Sequence, residues 1–370
     1  MQFSIKNYFS FTSHAAFGSG LRAWIRLLKE NNFAIHPLFI PKAIFISVAI
    51  FLGLPFRWYE RKKLRKLLSH QAIKAPVFII GHPRSGTTFL HYLMSKDKQF
   101  GFCSTIQAML PHVFLTGANW LIPGISKALP KKRPMDNLKM GSQLPKEEDF
   151  AMSAFGPESM ISSFYFPRNY SENFLKNVTF KNQNKKTERW KNNFDYFLRK
   201  LSFANHGKTL LLKSPANTAR VKQILELYPD AKFIHIHRHP YEVYSSTLHL
   251  LKKILPLLSF QKVKMNTLEE ATFVCYEALY NKYFNEKLLI PKGNLVEIDY
   301  VAFINDPLLS LQSIYDQLNL KDFKAAVKSI EDELNEYKNY ETNRFVLDEK
   351  TRQKIATRWK FAFDELGYIS

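Results

Sequence analysis

Cysteine is scarce in this chain, whose 370 residues include only two, Cys103 and Cys275. Two cysteines this far apart in sequence provide neither a disulfide framework nor a cysteine-based zinc site. Cys275 lies in the apolar helical pattern ATFVCYEALY, where packing in a core explains it. The scarcity of cysteine therefore favours a reducing compartment. The sequence also contains neither an internal repeat nor a low-complexity linker.

Acidic residues are outnumbered, because 32 Asp and Glu stand against 53 Lys and Arg, for a formal net charge of +21. Such a charge suits nucleic acid, an anionic membrane surface or a phosphorylated ligand. Much of the excess, however, lies in scattered lysines such as those of KNQNKKTERWK (181–191), which are typical of a solvated helix face. We attribute most of the charge to such faces and expect no nucleic-acid partner.

An apolar run long enough for a comfortable membrane span is also missing from the N-terminal part. The segment PLFIPKAIFISVAIFLGLPF (37–56) is interrupted by Pro41 and Lys42, which leaves about 14 apolar residues where a span needs about 20. An interfacial or re-entrant helix, or a helix packed on the domain, fits as well as a spanning one. The basic stretch RWYERKKLRK follows. We therefore predict membrane contact through residues 37–66 of a cytoplasmic protein, with the basic flank on the cytoplasmic side.

Four short β-rich runs are each followed by a helical pattern, which predicts β-α units around a parallel sheet. They are PVFIIG (76–81), TLLLKS (209–214), KFIHIHR (232–238) and NLVEIDY (294–300). The residues from about 100 to 205 are mostly helical or irregular in pattern, and an insertion of this kind is where a substrate pocket is built. We predict an apolar and basic extension over 1–75 and one α/β domain over 76–370 with a helical insertion at 100–205.

The first β-rich run leads into GHPRSGTTFL, which has the Gly-x-x-x-x-Gly spacing of a phosphate-binding loop but lacks its lysine. A glycine-rich turn between a strand and a helix directs backbone N–H groups and a helix N-terminus at an anion. In nucleotide hydrolases the lysine after the second glycine binds the β- and γ-phosphates. Thr87 and Thr88 stand there instead, and the cation lies inside the loop, at Arg84. The loop therefore suits a 5′-phosphate group rather than a triphosphate.

Four segments together resemble those of the sulfotransferases that use 3′-phosphoadenosine 5′-phosphosulfate (PAPS), and the bacterial-type branch is the most similar. GHPRSGTTFL resembles the family's 5′-phosphosulfate loop, and KFIHIHRHPYEVYSS (232–246) its 3′-phosphate motif. LLLKSPAN (210–217) resembles the strand that ends in the catalytic lysine, and IDYVAFINDPLLSLQSIYDQLNL a late strand-helix unit with its Tyr and Asp-Pro. The resemblance implies a P-loop NTPase-like three-layer α/β sandwich with a central parallel sheet. It also implies in-line transfer of a sulfuryl group from PAPS to an acceptor hydroxyl.

The resemblance assigns roles to individual residues. Lys213 and Arg84 would neutralise the charge that develops on the leaving phosphate, and no metal is expected. Arg238 and Ser246 would bind the 3′-phosphate. Phe89 stands where the family often has an aromatic residue against the adenine, although a place in the apolar stripe of the first helix explains it nearly as well. The 5′-phosphosulfate pocket would consist of Arg84, Ser85, Gly86, Thr87 and Thr88.

The general base is the least defined part of the predicted site. Pro215 stands where cytosolic members of the family have a histidine, so that residue cannot be carried over. RPMDNLKMGSQLPKEEDFAMSAF resembles the segment in which another branch has a catalytic glutamate, which indicates Glu147 first and Glu148 second. Acidic residues after Pro145 are also what a helix N-terminus favours. His82, inside the loop, is a further candidate.

Two other functions stay open on sequence alone. A nucleotide-dependent kinase of the same fold is opposed by the missing lysine and by the basic ends of the strands. A non-catalytic basic membrane-binding protein would leave Arg84, Lys213 and Arg238 as solvated charge. The aromatic and apolar insertion, with the apolar extension, favours a lipid-like hydroxyl acceptor, but a carbohydrate or a small alcohol also fits.

Overall fold

The computed structural model describes residues 14–117, 123–124, 126–127, 129–133, 135–136, 138–338 and 345–369. These residues form two compact units. The first unit takes its residues from ranges 1–73, 103–207 and 250–271, and the second from 74–102, 208–249 and 272–370. Most of the predicted N-terminal extension and of the predicted insertion thus belong to the same unit. The domain boundaries proposed from sequence stay a prediction.

The α-helices of the described residues range from five to 22 residues in length. In chain order the α-helices are α1 (Leu21–Glu30), α2 (Ile40–Leu52), α3 (Leu54–Ser69), α4 (Thr87–Met94), α5 (Thr105–Met109), α6 (Glu148–Phe155), α7 (Met160–Tyr165), α8 (Tyr170–Asn177), α9 (Asn184–Ala204), α10 (Val221–Leu227), α11 (Pro240–Leu258), α12 (Met265–Glu286), α13 (Tyr300–Asn305), α14 (Pro307–Gln317), α15 (Phe323–Glu336), α16 (Glu349–Arg358) and α17 (Lys360–Leu366). Short 3-10 helices cover Ala15–Gly18, Pro37–Phe39, Pro167–Asn169, Pro215–Ala219 and Lys287–Leu289.

The second unit is built on a parallel sheet of five strands in the order β2-β3-β1-β4-β5. The strands are β1 (Val77–Ile80), β2 (Phe100–Phe102), β3 (Thr209–Lys213), β4 (Lys232–His237) and β5 (Leu295–Asp299). All four residues of β1 are buried, as expected for a central parallel strand whose two faces are covered and whose sequence is wholly apolar. The predicted α/β class with a central parallel sheet is confirmed.

The order of the strands determines where on the sheet an active site can form. Because β1 lies between β3 and β4, the loop after β1 is flanked by the carboxyl ends of both neighbours. The register aligns Ile79 of β1 with Lys213 of β3 and with Ile234 of β4. The segments that follow β1, β3 and β4 therefore all begin at the carboxyl-terminal edge of the sheet, which is where open α/β sheets bind their ligands.

The first unit is helical in its described residues and contains the apolar N-terminal segment. No single helix among the described residues is long and apolar enough to cross a membrane, but α2 and α3, with Pro37–Phe39, would be long and apolar enough as a pair. This pair is bent by 42° at Gly53.

Candidate active site

The loop after β1 has an unusual backbone. Gly81, Arg84 and Gly86 all have positive φ, at 143°, 76° and 94°, and Arg84 adopts this conformation although it is uncommon for residues with a side chain. A Cβ added at Gly81 would lie 2.3 Å from the carbonyl oxygen of Ile236, and one at Gly86 would lie 2.4 Å from the ring of Tyr300. Both glycines are thus required by close packing as well as by φ.

Helix α4 begins directly after this turn. Gly86 is its N-cap, and among the described residues no side chain caps it. The first N–H groups of a helix lack intrahelical acceptors, and a glycine at this place leaves the backbone accessible. The loop and the start of α4 therefore form an anion-binding arrangement of the kind that the sequence predicts.

Lys213 reaches this helix from the neighbouring strand. Its Nζ donates a hydrogen bond to Thr88 Oγ1 at 3.1 Å, and the side chain is buried. Burial, with the nearby charge of Lys213, lowers the pKa of His91 on α4 to about 3, so this histidine is neutral at physiological pH. The structure thus brings together the predicted catalytic lysine and the threonine pair of the loop.

Arg84 and Ser246 also lie together, although they come from different predicted motifs. Arg84 Nε donates a hydrogen bond to Ser246 Oγ at 3.0 Å, and Ser246 is buried in the second turn of α11. Arg238, at the end of β4, donates through Nε to Glu242 Oε2 at 2.5 Å. The bond from Arg84 to Ser246 therefore holds the loop cation against α11. Ser246 thus contacts the loop that is predicted to bind the 5′-phosphosulfate.

Tyr300 connects the loop with Arg238. Its ring is the group that a Cβ at Gly86 would meet, and the Arg238 guanidinium lies over the same ring, 4.4 Å from its centre. Burial raises the pKa of the Tyr300 phenol, so it stays protonated. The sequence resemblance includes a tyrosine in the late strand-helix unit but implies no role for it. The sequence feature that indicates a role for Tyr300 is its position directly after a core strand.

A cavity of about 690 Å³ opens beside Arg238. Its lining includes Tyr241, Ser245, Phe345 and Arg352, and the guanidinium of Arg352 lies 4.7 Å from the centre of the Tyr241 ring. The volume is in the range of sites for small molecules and cofactors. Arg352 and Phe345 were not among the predicted site residues, because nothing in the C-terminal sequence places them next to β4.

A model of the sulfotransferase family matches residues 76–324, which is more than half of the chain. The chain belongs to the sulfotransferase family. It is 32 % identical to the omega-hydroxy-beta-dihydromenaquinone-9 sulfotransferases Stf3 of Mycobacterium bovis and Mycobacterium tuberculosis, over 95 % of this chain and 90 % of each relative. The relatives are bacterial, as the sequence resemblance implies.

Solved sulfotransferases share the fold of this one. STF9 of Mycobacterium avium has a TM-score of 0.71 and STF1 of Mycobacterium tuberculosis one of 0.68, each at 16 % identity. The alignments cover 93 % and 92 % of this chain, and 90 % and 91 % of those chains. The predicted P-loop-like fold is confirmed. So is the predicted enzyme class, since the family and its named relatives transfer a sulfuryl group from a sulfate donor, and the kinase and binding-protein alternatives fall away.

Three successive carboxylates of the sulfotransferase lie at the start of α6, in the first unit. Asp149 is buried, and its Oδ2 accepts from Ser159 Oγ and from the Met160 backbone N–H, both at 2.7 Å. Glu148 is buried as well, and its charge contributes to raising the pKa of the Cys103 thiol, after burial itself. Glu147 is half-buried and forms the N-cap of the helix. The assignment of either glutamate as the base stays a prediction.

His82 and Phe89 of the sulfotransferase loop region are packing residues in this structure. Burial lowers the pKa of His82 to about 4, and its Nδ1 donates to the Pro83 carbonyl oxygen at 2.8 Å. An imidazole of that pKa is a weak base near neutrality. The Phe89 ring lies 5.8 Å from that of Phe303 and meets the Tyr337 ring edge-on at 5.4 Å. A contact of Phe89 with adenine stays a prediction.

The described residues contain no group of three His, Cys, Asp or Glu side chains that could hold a metal ion. The expectation of metal-free chemistry stays a prediction.

Proposed function

We propose that the sulfate donor of this sulfotransferase is PAPS and that its acceptor is the hydroxyl group of an apolar, lipid-like molecule. The observation that carries the donor assignment is the arrangement of Lys213, Arg84 and Arg238 at the carboxyl ends of the three adjacent strands β3, β1 and β4. Arg84 lies in the loop itself and donates to Ser246, and Lys213 reaches the loop region through its bond to Thr88. Arg238 stands apart from them, beside the cavity.

A donor with two separated anionic groups suits this arrangement. The N-terminus of α4, with Lys213 and Arg84, would hold the 5′-phosphosulfate. Arg238 and the cavity next to it would hold the 3′-phosphate and part of the nucleoside. Arg352 supplies a second guanidinium to the same cavity. A nucleotide with only one phosphate group would leave the exposed Glu242 as the ion-pair partner of Arg238 among the described residues.

The reaction needs a cation and a base. Lys213 and Arg84 would stabilise the negative charge that grows on the bridging oxygen while the bond from that oxygen to sulfur breaks. The Thr88 hydroxyl orients the lysine for this task. A carboxylate, Glu148 or Glu147, would take the proton of the acceptor hydroxyl as the new oxygen–sulfur bond forms.

The acceptor proposal rests on the relatives. The Stf3 proteins are named for an omega-hydroxylated menaquinone derivative, and they align with 95 % of this chain. We therefore propose a hydroxylated isoprenoid quinone or a chemically similar lipid alcohol as the acceptor class. The aromatic and apolar residues of the first unit support an apolar acceptor more than a carbohydrate.

The donor is tested by calorimetry with 3′,5′-adenosine bisphosphate and with AMP, without Mg²⁺. We expect the bisphosphate to bind at least about tenfold more tightly than AMP, because a charge-assisted contact contributes roughly 1.5–3 kcal/mol. Arg238→Ala should remove this preference, whereas Arg65→Ala, an exposed arginine of α3, should keep it. Equal binding of AMP and the bisphosphate by the wild type would refute the two-phosphate site.

The acceptor is tested with labelled PAPS and two lipids that differ in one group, a menaquinone with a terminal hydroxyl and the same menaquinone without it. Label should pass only to the hydroxylated lipid. Transfer to a sugar alcohol but to neither quinone would leave the donor assignment intact and overturn the acceptor class.

A further inference from the structure

Helix α2 is largely apolar on its outward side as well as on its inward side, and its charged residue faces the unit and not the solvent. Its one charged side chain, Lys42, is fully buried, and its Nζ donates to the Leu257 carbonyl oxygen at 3.3 Å. The polar Ser47 also lies toward the unit and accepts a hydrogen bond from Trp24 Nε1. The outward face, in contrast, carries exposed apolar side chains at helical spacing: Ile40, Ile44, Val48, Phe51 and Leu52. A helix on the surface of a water-soluble domain carries polar and charged side chains on its outward face instead.

Helix α3 continues this surface and adds aromatic and basic side chains. Phe56, Trp58 and Tyr59 are exposed, and Lys62 and Lys63 lie over the Trp58 and Tyr59 rings, at 5.0 and 5.6 Å from the ring centres. The exposed basic residues of the helix are Arg61, Lys62, Lys63, Arg65 and Lys66. We call the outward faces of α2 and α3 together the α2–α3 face. It has the composition of an interfacial helix: an apolar part, amphipathic aromatic rings, and lysines and arginines beside them.

We propose that the α2–α3 face binds the surface of an anionic membrane, with the two helices lying in the interface and not crossing the bilayer. This proposal does not depend on the donor or acceptor proposed above. It places the enzyme at the cytoplasmic leaflet, whose anionic lipids attract basic segments next to apolar ones.

The inward contacts of the two helices argue against a span. Glu60, the one acid in the basic stretch of α3, is fully buried and pairs with the equally buried Lys200 of α9 at 2.5 Å. Its other oxygen accepts from the Leu115 and Thr116 backbone N–H groups at 3.0 and 2.8 Å. Arg57 also donates to the Ser19 carbonyl. Crossing a bilayer would require these buried charges to leave their partners for lipid, which is costly.

A second copy of the chain fits the α2–α3 face less well than an anionic membrane does. In a two-fold dimer the same patch lies on both sides of the interface. Such a dimer would bring the five exposed basic side chains of α3 and the five of the other copy into one interface, where like charges repel each other. Anionic lipid headgroups complement the same charges.

Vesicle flotation tests the proposal with the full chain. We expect the wild type to float with phosphatidylcholine vesicles that contain about one-third phosphatidylglycerol, and to bind pure phosphatidylcholine at least tenfold less well, since each basic residue near an anionic surface contributes about 1 kcal/mol. Phe51→Ser with Leu52→Ser should lower binding to the anionic vesicles at least tenfold. Lys62→Glu with Lys63→Glu should do so too.

Matched controls make the same chemical changes elsewhere on the surface. Leu288→Ser with Leu309→Ser changes two exposed leucines, and Lys321→Glu with Lys324→Glu reverses two exposed lysines; both should bind like the wild type. All four changed residues of the α2–α3 face are exposed, so unchanged thermal unfolding should accompany the loss of binding. Equal binding by the test and control variants would overturn the proposal.

Three further measurements distinguish interfacial membrane binding from a membrane span and from a dimer. Brominated lipids should quench Trp58, which is 65 % exposed, and the quenching should disappear in Trp58→Phe. Alkaline carbonate should release the protein, whereas resistance to it would indicate a span. A dimer in solution that Phe51→Ser with Leu52→Ser dissociates would show that a second copy covers the face. Either of these last two results would refute the proposal.

Discussion

At the scale of single residues, the three adjacent carboxylates at the start of α6 have different surroundings. Asp149 accepts two hydrogen bonds at 2.7 Å from Ser159 and Met160 at the start of α7, which is the arrangement of a structural cap. Glu147 is half-buried and contributes the N-cap backbone of its own helix. Glu148 is buried, and burial is one condition under which an enzyme can tune a carboxylate for proton transfer. The resemblance indicates Glu147 first, whereas burial favours Glu148.

Isosteric amides separate these roles. We expect Glu148→Gln to lower kcat by about 100-fold or more, the usual effect of removing a general base, while affinity for 3′,5′-adenosine bisphosphate stays unchanged. Glu147→Gln should cost less than about tenfold by the same reasoning, and Asp149→Asn should lower the free energy of unfolding by about 1 kcal/mol. Steady-state kinetics, calorimetry and urea unfolding provide the three readouts. If Glu147→Gln is the variant that loses kcat, the base is Glu147, as the resemblance indicates.

At the scale of elements, the anion-binding edge depends on how the ends of three strands pack. The loop after β1 turns tightly at Gly86, and Tyr300, directly after β5, fills the space that a Cβ there would occupy. The same ring lies under the guanidinium of Arg238, after β4. Tyr300 therefore supports both predicted phosphate sites through its ring, and it does so without a charge of its own.

Two substitutions at Tyr300 distinguish its ring from its hydroxyl group. Tyr300→Ala should weaken binding of 3′,5′-adenosine bisphosphate about tenfold, because a cation–π contact contributes roughly 0.5–2 kcal/mol and the loop loses its packing partner. Tyr300→Phe keeps the ring and should bind within about threefold of the wild type. Calorimetry measures both, with Tyr59→Ala as a control at an exposed tyrosine. An equal loss in the Phe and Ala variants would assign the effect to the hydroxyl group instead.

At the scale of the whole molecule, the sequence predicts the sheet better than it predicts side-chain contacts. The four apolar runs before helical patterns are strands, whereas β2 was missed, because three residues are too few for a periodic pattern and only pairing with β3 identifies them. The pairing of Ser246 with Arg84 depends on where α11 passes the loop, and the inward direction of Lys42 depends on which side of α2 is covered. Neither is encoded in local spacing. The motifs predict which charged residues lie at the carboxyl-terminal edge of the sheet, whereas tertiary packing determines which of these side chains contact each other.

Buried neutral histidines make the stability of the whole molecule sensitive to acid. Burial lowers the pKa of His14, His91 and His112 to about 3 and that of His82 to about 4, so all four stay neutral in the folded chain at pH 5. In the unfolded chain a histidine has a pKa of about 6.5 and binds a proton there. The unfolded state thus binds more protons, so the free energy of unfolding falls as pH falls from about 6.5 toward 4, by up to about 1.4 kcal/mol per pH unit for each histidine.

Urea unfolding between about pH 5 and pH 7 measures this dependence, since its slope counts the protons taken up on unfolding. His112→Phe should lower the slope by about one proton, whatever its effect on stability at pH 7, and it keeps an aromatic ring against Phe155. A wild-type slope near zero over this range would mean that the four histidines are protonated in the folded chain. Their burial would then be offset by contacts that stabilise the charge.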